Sequence, residues 1–138
     1  MQITRETDYA IRCVLYLTAR TDRTVMVDEI AREMATPKSF LAKILQKLVR
    51  AGIVKSFRGV KGGFRLERKP EEITLLDVIE ATQGVIALNV CAVDDTVCGF
   101  SSTCVVHPVW VKLRGEFNDL LKQHNFAEIS ASPERKDS

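Results

Sequence analysis

Thr36-Pro37-Lys38-Ser39-Phe40-Leu41-Ala42-Lys43-Ile44-Leu45-Gln46-Lys47-Leu48-Val49-Arg50-Ala51-Gly52, followed shortly by Arg58-Gly59-Val60-Lys61-Gly62-Gly63, is the part of the chain whose reading decides the fold. Threonine can cap free backbone donors and proline is pre-shaped for a first helical position, so the opening predicts a helix from Pro37 to about Arg50. Phe40, Leu41, Ile44, Leu45, Leu48 and Val49 recur on one face of it, while Lys38, Ser39, Lys43, Lys47 and Arg50 take the polar sides. Ala51-Gly52 ends the helix, since glycine supplies the left-handed conformation common just past a C-terminus. Ile53, Val54 and Phe57, then Phe64 and Leu66, predict two short strands. The glycines between them permit a tight reversal with Arg58 and Lys61 at its tip.

Upstream, Ala10, Ile11, Val14, Leu15 and Leu17 predict a helix from Thr7 to Thr18, in which Cys13 reads as a small core hydrophobe. A polar break at Arg20 to Arg23 precedes a short helix from Val27 to Met34. Two short helices with a tight turn, the second one basic, followed by a basic hairpin, describe the winged form of the helix-turn-helix. Downstream, Thr74 is placed to cap a helix that ends at Gln83-Gly84. Pro108 opens a longer helix to about His124, with Trp110, Leu113, Phe117, Leu120 and Leu121 as an apolar stripe. A winged helix that reads two half-sites needs a two-fold partner, so this stripe is expected to form a homodimer. The expected fold class is therefore mainly α with a small β-hairpin wing: a winged helix-turn-helix with a long C-terminal dimerisation helix.

Charge supports a polyanion partner. The chain of 138 residues carries a formal net charge of only +2, but residues 36–70 hold ten Lys or Arg against Glu67 alone, a net of +9. Residues 71–138 hold five basic and eleven acidic residues, a net of −6. Such segregation suggests double-stranded DNA for the first half. The N-terminus has no apolar signal region, and no stretch approaches the roughly 18 to 20 apolar residues of a membrane span, so a cytoplasmic protein with no membrane partner is expected. In that compartment cysteines serve metal, redox or core roles. No GxSxG, phosphate loop or paired acid–base set points to an enzyme.

Three cysteines and a histidine lie within the seventeen residues from Cys91 to His107: Cys91, Cys98, Cys104 and His107, separated by gaps of six, five and two residues. Soft thiolates gathered this closely suit an iron-sulfur cluster, copper(I) or zinc. Structural zinc favours tighter Cys-x2-Cys to Cys-x4-Cys knuckles, whereas loops of five or six residues can pass around a cluster. Redox or merely buried thiols stay open as alternatives. His107 could be a fourth ligand or could cap the helix that follows.

Thr7-Asp8-Tyr9-Ala10-Ile11-Arg12, Ser39-Phe40-Leu41-Ala42-Lys43-Ile44-Leu45, Arg58-Gly59 with Lys61-Gly62-Gly63, and the three cysteines together resemble the iron-sulfur cluster regulator family that contains the IscR, NsrR and RirA types. The resemblance covers about residues 1–128. It implies a dimeric winged-helix transcription factor, in all expectation a repressor, whose operator binding is controlled by an iron-sulfur cluster that senses iron, cluster supply, redox state or nitric oxide. It also implies Cys91, Cys98 and Cys104 as cluster ligands, with the fourth ligand either His107 or Asp8 of the opposite subunit, and the cluster either 2Fe–2S or 4Fe–4S. The first gap is six residues rather than the five of the cluster-biogenesis type, and Ala42 stands where that type can carry an acid. The alternatives are a winged-helix regulator using zinc or cysteine-thiol chemistry and, more remotely, a small iron-sulfur redox protein. On this reading residues 1–83 form the DNA-binding domain, 84–107 the cluster-binding loop, 108–128 the dimerisation helix and its end, and 129–138 a disordered tail. Thr36, Lys38, Ser39 and Lys43 are expected nearest the bases, Arg58 and Lys61 at the minor groove or phosphates, and Lys47 and Lys55 on phosphates.

Overall fold

The computed structural model describes residues 2–89, 92–94, 96, 99–100 and 102–132. Along the chain come α1 (Arg5–Thr18), α2 (Val27–Glu33), α3 (Lys38–Arg50), β1 (Val54–Phe57), β2 (Gly63–Leu66), a 3-10 turn (Pro70–Glu72), α4 (Leu75–Gln83), α5 (His107–Lys122) and α6 (Phe126–Ala131). This is the winged helix-turn-helix that the pattern of residues 36–63 predicts.

Helix α1 starts at Thr4, whose hydroxyl accepts from the Thr7 backbone N–H at 3.1 Å, and it buries Thr7, Ala10, Cys13, Val14 and Leu17 on one face. Cys13 is fully buried, and burial pushes its thiol up to about 12, so it is protonated and inert. Helix α3 buries Leu41, Ile44, Leu45 and Leu48 against it, with Phe40 and Val49 half-buried at the margins. The start of α3 differs from expectation. Pro37, not Thr36, is the N-cap, no side chain caps the first turn, and Thr36 is buried with its hydroxyl donating to the Met34 carbonyl at 3.1 Å. Thr36 thus shapes the turn between α2 and α3. Gly52, with φ +76°, closes the helix as its position predicts.

Strands β1 and β2 pair antiparallel with Val54 opposite Leu66 and Phe57 opposite Gly63. The wing also rests on the turn between α1 and α2. Val25 and Phe64 exchange backbone hydrogen bonds of 2.9 and 2.8 Å, the Thr24 hydroxyl donates to the Lys61 carbonyl, and Arg65 donates to the Thr21 carbonyl. Gly63 makes that approach possible: at φ +155°, a Cβ here would lie 2.5 Å from the Val25 carbonyl oxygen.

The same turn carries a charged knot that sets α2 against α1. Glu29 accepts from the Tyr16 hydroxyl and from two nitrogens of Arg23, while Arg20 stacks on the Tyr16 ring at 3.5 Å. Hydrogen bonds from Arg23 and Tyr16 hold the Glu29 carboxyl at about 2, against an ordinary 4.5. A depressed carboxylate stabilises the fold above its ordinary value and loses that contribution as pH falls toward its folded one. Glu29→Gln is therefore expected to lower Tm by roughly 3–6 °C at neutral pH. Thermal melts of both proteins should converge between pH 4.5 and 2; an equal gap at every pH would refute the assignment.

Helix α4 opens on a reciprocal capping box, with Thr74 accepting from the Asp77 N–H and Asp77 from the Thr74 N–H. Helix α5 begins at His107, one residue before the expected Pro108. It touches the rest of the chain through Leu121, which packs on Leu76, Ile79 and Ile86, and through Arg114, whose Nε donates to the Ile86 carbonyl at 3.0 Å. A final element departs from expectation. Residues 129–131, assigned in advance to a disordered tail, belong to α6. Residues 133–138 of that tail lie outside the described residues. Phe126 N–H donates to Ile73 O and Leu75 N–H to His124 O, and this clasp buries the Phe126 ring completely in the core of the DNA-binding domain.

Candidate DNA-binding face and metal-ligand segment

Of the residues expected at DNA, Lys38, Ser39 and Lys43 are exposed along α3, Lys55 along β1, and Arg58 and Lys61 at the wing. Lys38 pairs with Asp28 at 2.8 Å, but both side chains are more than half exposed, so the pair is weak and readily exchanged for a phosphate. Lys43, Lys55, Arg58 and Lys61 have no salt-bridge partner among the described residues. Lys55 lies 5.5 Å from the Phe57 ring. Two of the expected residues are otherwise engaged. Thr36 is buried as described, and Lys47 is half-buried in contact with Glu6 and the Thr82 carbonyl.

The first turn of α3 is open in a useful way. With no side-chain cap, its leading backbone N–H groups remain available to an anion, the usual way a helix N-terminus meets a phosphate. A groove of about 430 Å³ runs beside it, lined by Arg5, Tyr9, Thr36, Pro37, Ser39 and Phe40. The Tyr9 and Phe40 rings pack edge to face at 5.7 Å and brace the turn from α1. Gln46, exposed one turn beyond Lys43, and Val60, 99% exposed between Arg58 and Lys61, also present themselves on this side of the chain. Sequence reading missed both. Polar-face periodicity marks Gln46, whereas nothing local tells an exposed hairpin valine from a buried one.

In the cysteine segment, Cys91 and Cys98 lie outside the described residues. Cys104 is exposed with a free thiol, and its carbonyl accepts from the His107 N–H at 3.3 Å, so the two residues stand one turn apart at the head of α5. His107 does not cap that helix: Val106 is the N-cap and no side chain caps the turn. Instead its Nδ1 is shielded from solvent and has no hydrogen-bond partner among the described residues. Nearby, Asp94 accepts from both the N–H and the hydroxyl of Thr96, bonds that hold its carboxyl below the ordinary range. Asp8 is exposed on the first turn of α1 and pairs with Arg12 at 3.2 Å.

Helix α5 has no buried residue, and Val109, Leu113, Phe117 and Leu120 form an exposed stripe, each 38–55% accessible. Leu88 joins Leu113, Glu116, Phe117 and Leu120 around an apolar groove of about 340 Å³. No helix among the described residues is long and apolar enough to cross a membrane.

Comparison with known proteins agrees with this architecture. The family model for Rrf2, described as an iron-dependent transcriptional regulator, matches residues 3–132. Protein aau3 of Rhizobium meliloti is 34% identical over 130 residues, covering 94% of this chain and 84% of that protein. The HTH-type transcriptional regulator NsrR of Halalkalibacterium halodurans is 31% identical over 122 residues, covering 88% and 80%. Among solved structures, CymR, the global cysteine regulator of B. subtilis, superposes with a TM-score of 0.76 at 20% identity, covering 97% of this chain and 99% of that one.

Proposed function

The chain belongs to the Rrf2 family of helix-turn-helix transcriptional regulators, not enzymes, and on that premise we propose that it binds operator DNA as a homodimer under the control of an iron-sulfur cluster held by residues 91–107. The observation that carries the cluster reading is His107. A shielded imidazole nitrogen without a partner is costly, since a buried acceptor or donor left unsatisfied loses its hydration with no return. An iron ligand bond would relieve it. Its neighbour one turn away, Cys104, offers an accessible thiol, and the sequence adds two more soft donors in Cys91 and Cys98. The donor set therefore fits the group.

Cys91, Cys98, Cys104 and His107 would hold it, with Asp8 of the opposite subunit as the other choice for the last place. Asp8 must first give up Arg12, a surface pair that costs little to break. When bound, a cluster supplies a site that iron scarcity, oxidation or nitric oxide can dismantle. The rest is done by the chain. Ordering the segment fixes the head of α5, and α5 sets how far apart two wings stand in a dimer. Lys38, Ser39 and Lys43 would then read or grip the major groove, with the uncapped α3 turn on a phosphate. Arg58 and Lys61 would enter beside it from the wing, and Lys55 would neutralise backbone charge.

The second reading is thiol chemistry without a cluster, favoured by the accessible Cys104 and by the fold shared with the cysteine regulator CymR. Anaerobic purification with iron and sulfide analysis and a visible spectrum, repeated for Cys91→Ala, separates the two. A sulfide-containing chromophore absent from the variant is the expected result. A protein that stays colourless after attempted reconstitution would move the assignment to the thiol.

A further inference from the structure

We propose that Lys47 is a positioning residue, part of a polar bridge that ties the recognition helix to the end of α4, and not a phosphate contact. The proposal rests on the reading of residues 84–107 as the sensing segment, because that segment begins where the bridge ends.

The bridge has two strands that meet at Thr82. On one, the Lys47 ammonium sits 2.5 Å from Glu6 in the first turn of α1 and donates to the Thr82 carbonyl at 3.4 Å. On the other, Thr82 Oγ1 and the fully buried Thr7 Oγ1 stand 2.6 Å apart. The Thr82 hydroxyl also donates to the Val78 and Ile79 carbonyls, so its proton is directed into α4 and Thr7 is the donor between the two. Thr4 hydroxyl donates to Thr7 in turn, giving one continuous polarity from the α1 cap into α4. Gln83 completes the clasp, accepting from the Thr4 N–H and donating to the Gln2 carbonyl. The last two residues of α4 are thus held by both α1 and α3. Gly84 follows at φ +85°, a left-handed break that separates the clasped helix from the segment leading to Cys91.

This arrangement makes Lys47 the contact through which α3 registers the end of α4. Its side chain is only 39% exposed and its charge is already matched by Glu6, which is 32% exposed. A cation so paired has less to offer a phosphate than the unpaired Lys43 and Lys55. Glu6 is the informative partner: an acid close to bound DNA normally weakens binding, so its removal should help, unless its role is to hold Lys47 and through it the angle of α3.

The test uses full-length protein purified anaerobically, a duplex selected by the wild type from a random-sequence pool, and an unselected duplex, across a salt series. Glu6→Gln and Lys47→Met are each expected to weaken the selected duplex by about 2- to 30-fold, with the double variant no worse than the single ones. Glu6→Gln should leave the unselected duplex unchanged, and Lys47→Met should keep the wild-type salt slope. Tighter or unchanged binding by Glu6→Gln, or a slope lowered by about 0.9 in Lys47→Met, would assign Lys47 to a phosphate and overturn the proposal. Repeating the measurement on iron-loaded and chelated protein tests the sensing link. If the wild type discriminates the two states and Glu6→Gln keeps the full ratio, the coupling is overturned. If the wild type does not discriminate them, the sensing reading fails, while the salt slopes still decide the role of Lys47.

Discussion

Phe117→Asp is expected to turn the protein into a monomer and to cost about two to four orders of magnitude in operator affinity. The argument begins with α5 by itself. A helix of sixteen residues with no buried position is marginal in water, because nucleation is costly and an amphipathic face must be covered to offset it. Leu121 and Arg114 tie one side to α4 and to Ile86, which leaves Val109, Leu113, Phe117 and Leu120 facing outward. Phe117 lies mid-stripe and lines the adjoining groove with Leu88, so an aspartate there places a charge where a second α5 would pack. Two half-sites gripped by one dimer gain from effective concentration, and a monomer forfeits that gain of about 10²- to 10⁴-fold. Sedimentation and DNA titration of Phe117→Asp measure both effects, with Lys112→Ala on the exposed outer side as control. A dimer with undiminished affinity would place the two-fold contact elsewhere.

What could be read in advance divides along physical lines. Helix α3 and the wing were legible because their signals are local: helical apolar spacing, a glycine just past the helix, and glycines around two cations. Pro37 and Thr36 were read one position apart, since both residues suit a helix start and only the backbone shows which one precedes the first turn. Charge counts identified a basic face but could not show that Lys47 is matched by Glu6, a contact between residues 41 positions apart in sequence. The donor types in residues 91–107 were plain, whereas a loop with no strong propensity gives no sign of which ligand completes the set. His107 is the exception, because the absence of a cap bond and a shielded nitrogen are visible only in three dimensions.

Helix α6 is the clearest case of a non-local element, and Phe126→Ala is the change expected to damage stability most. Six residues with one aromatic give no helical periodicity worth reading, and Asn125, whose side chain accepts from the Glu128 N–H at 2.8 Å, is an equally good turn residue. What makes the segment a helix is its docking. Backbone bonds join residues 73–75 to 124–126, and the ring of Phe126 enters the same buried cluster as Ala10, Cys13, Val14 and Leu17 of α1. Truncation removes the apolar area and leaves a cavity that these helices cannot close, a loss of about 3–5 kcal/mol. For a chain of this size that corresponds to a Tm lower by roughly 10–20 °C, measurable by circular dichroism. The consequence reaches function, because the clasp ends α5 as well as anchoring α6. Releasing it frees the C-terminal end of α5, so the dimer contact should weaken even below the melting temperature. A Phe126→Ala protein that melts with the wild type would mean that α6 is an ornament on the domain. One that melts early but dimerises with full affinity would mean that α5 is held by Leu121 and Arg114 alone.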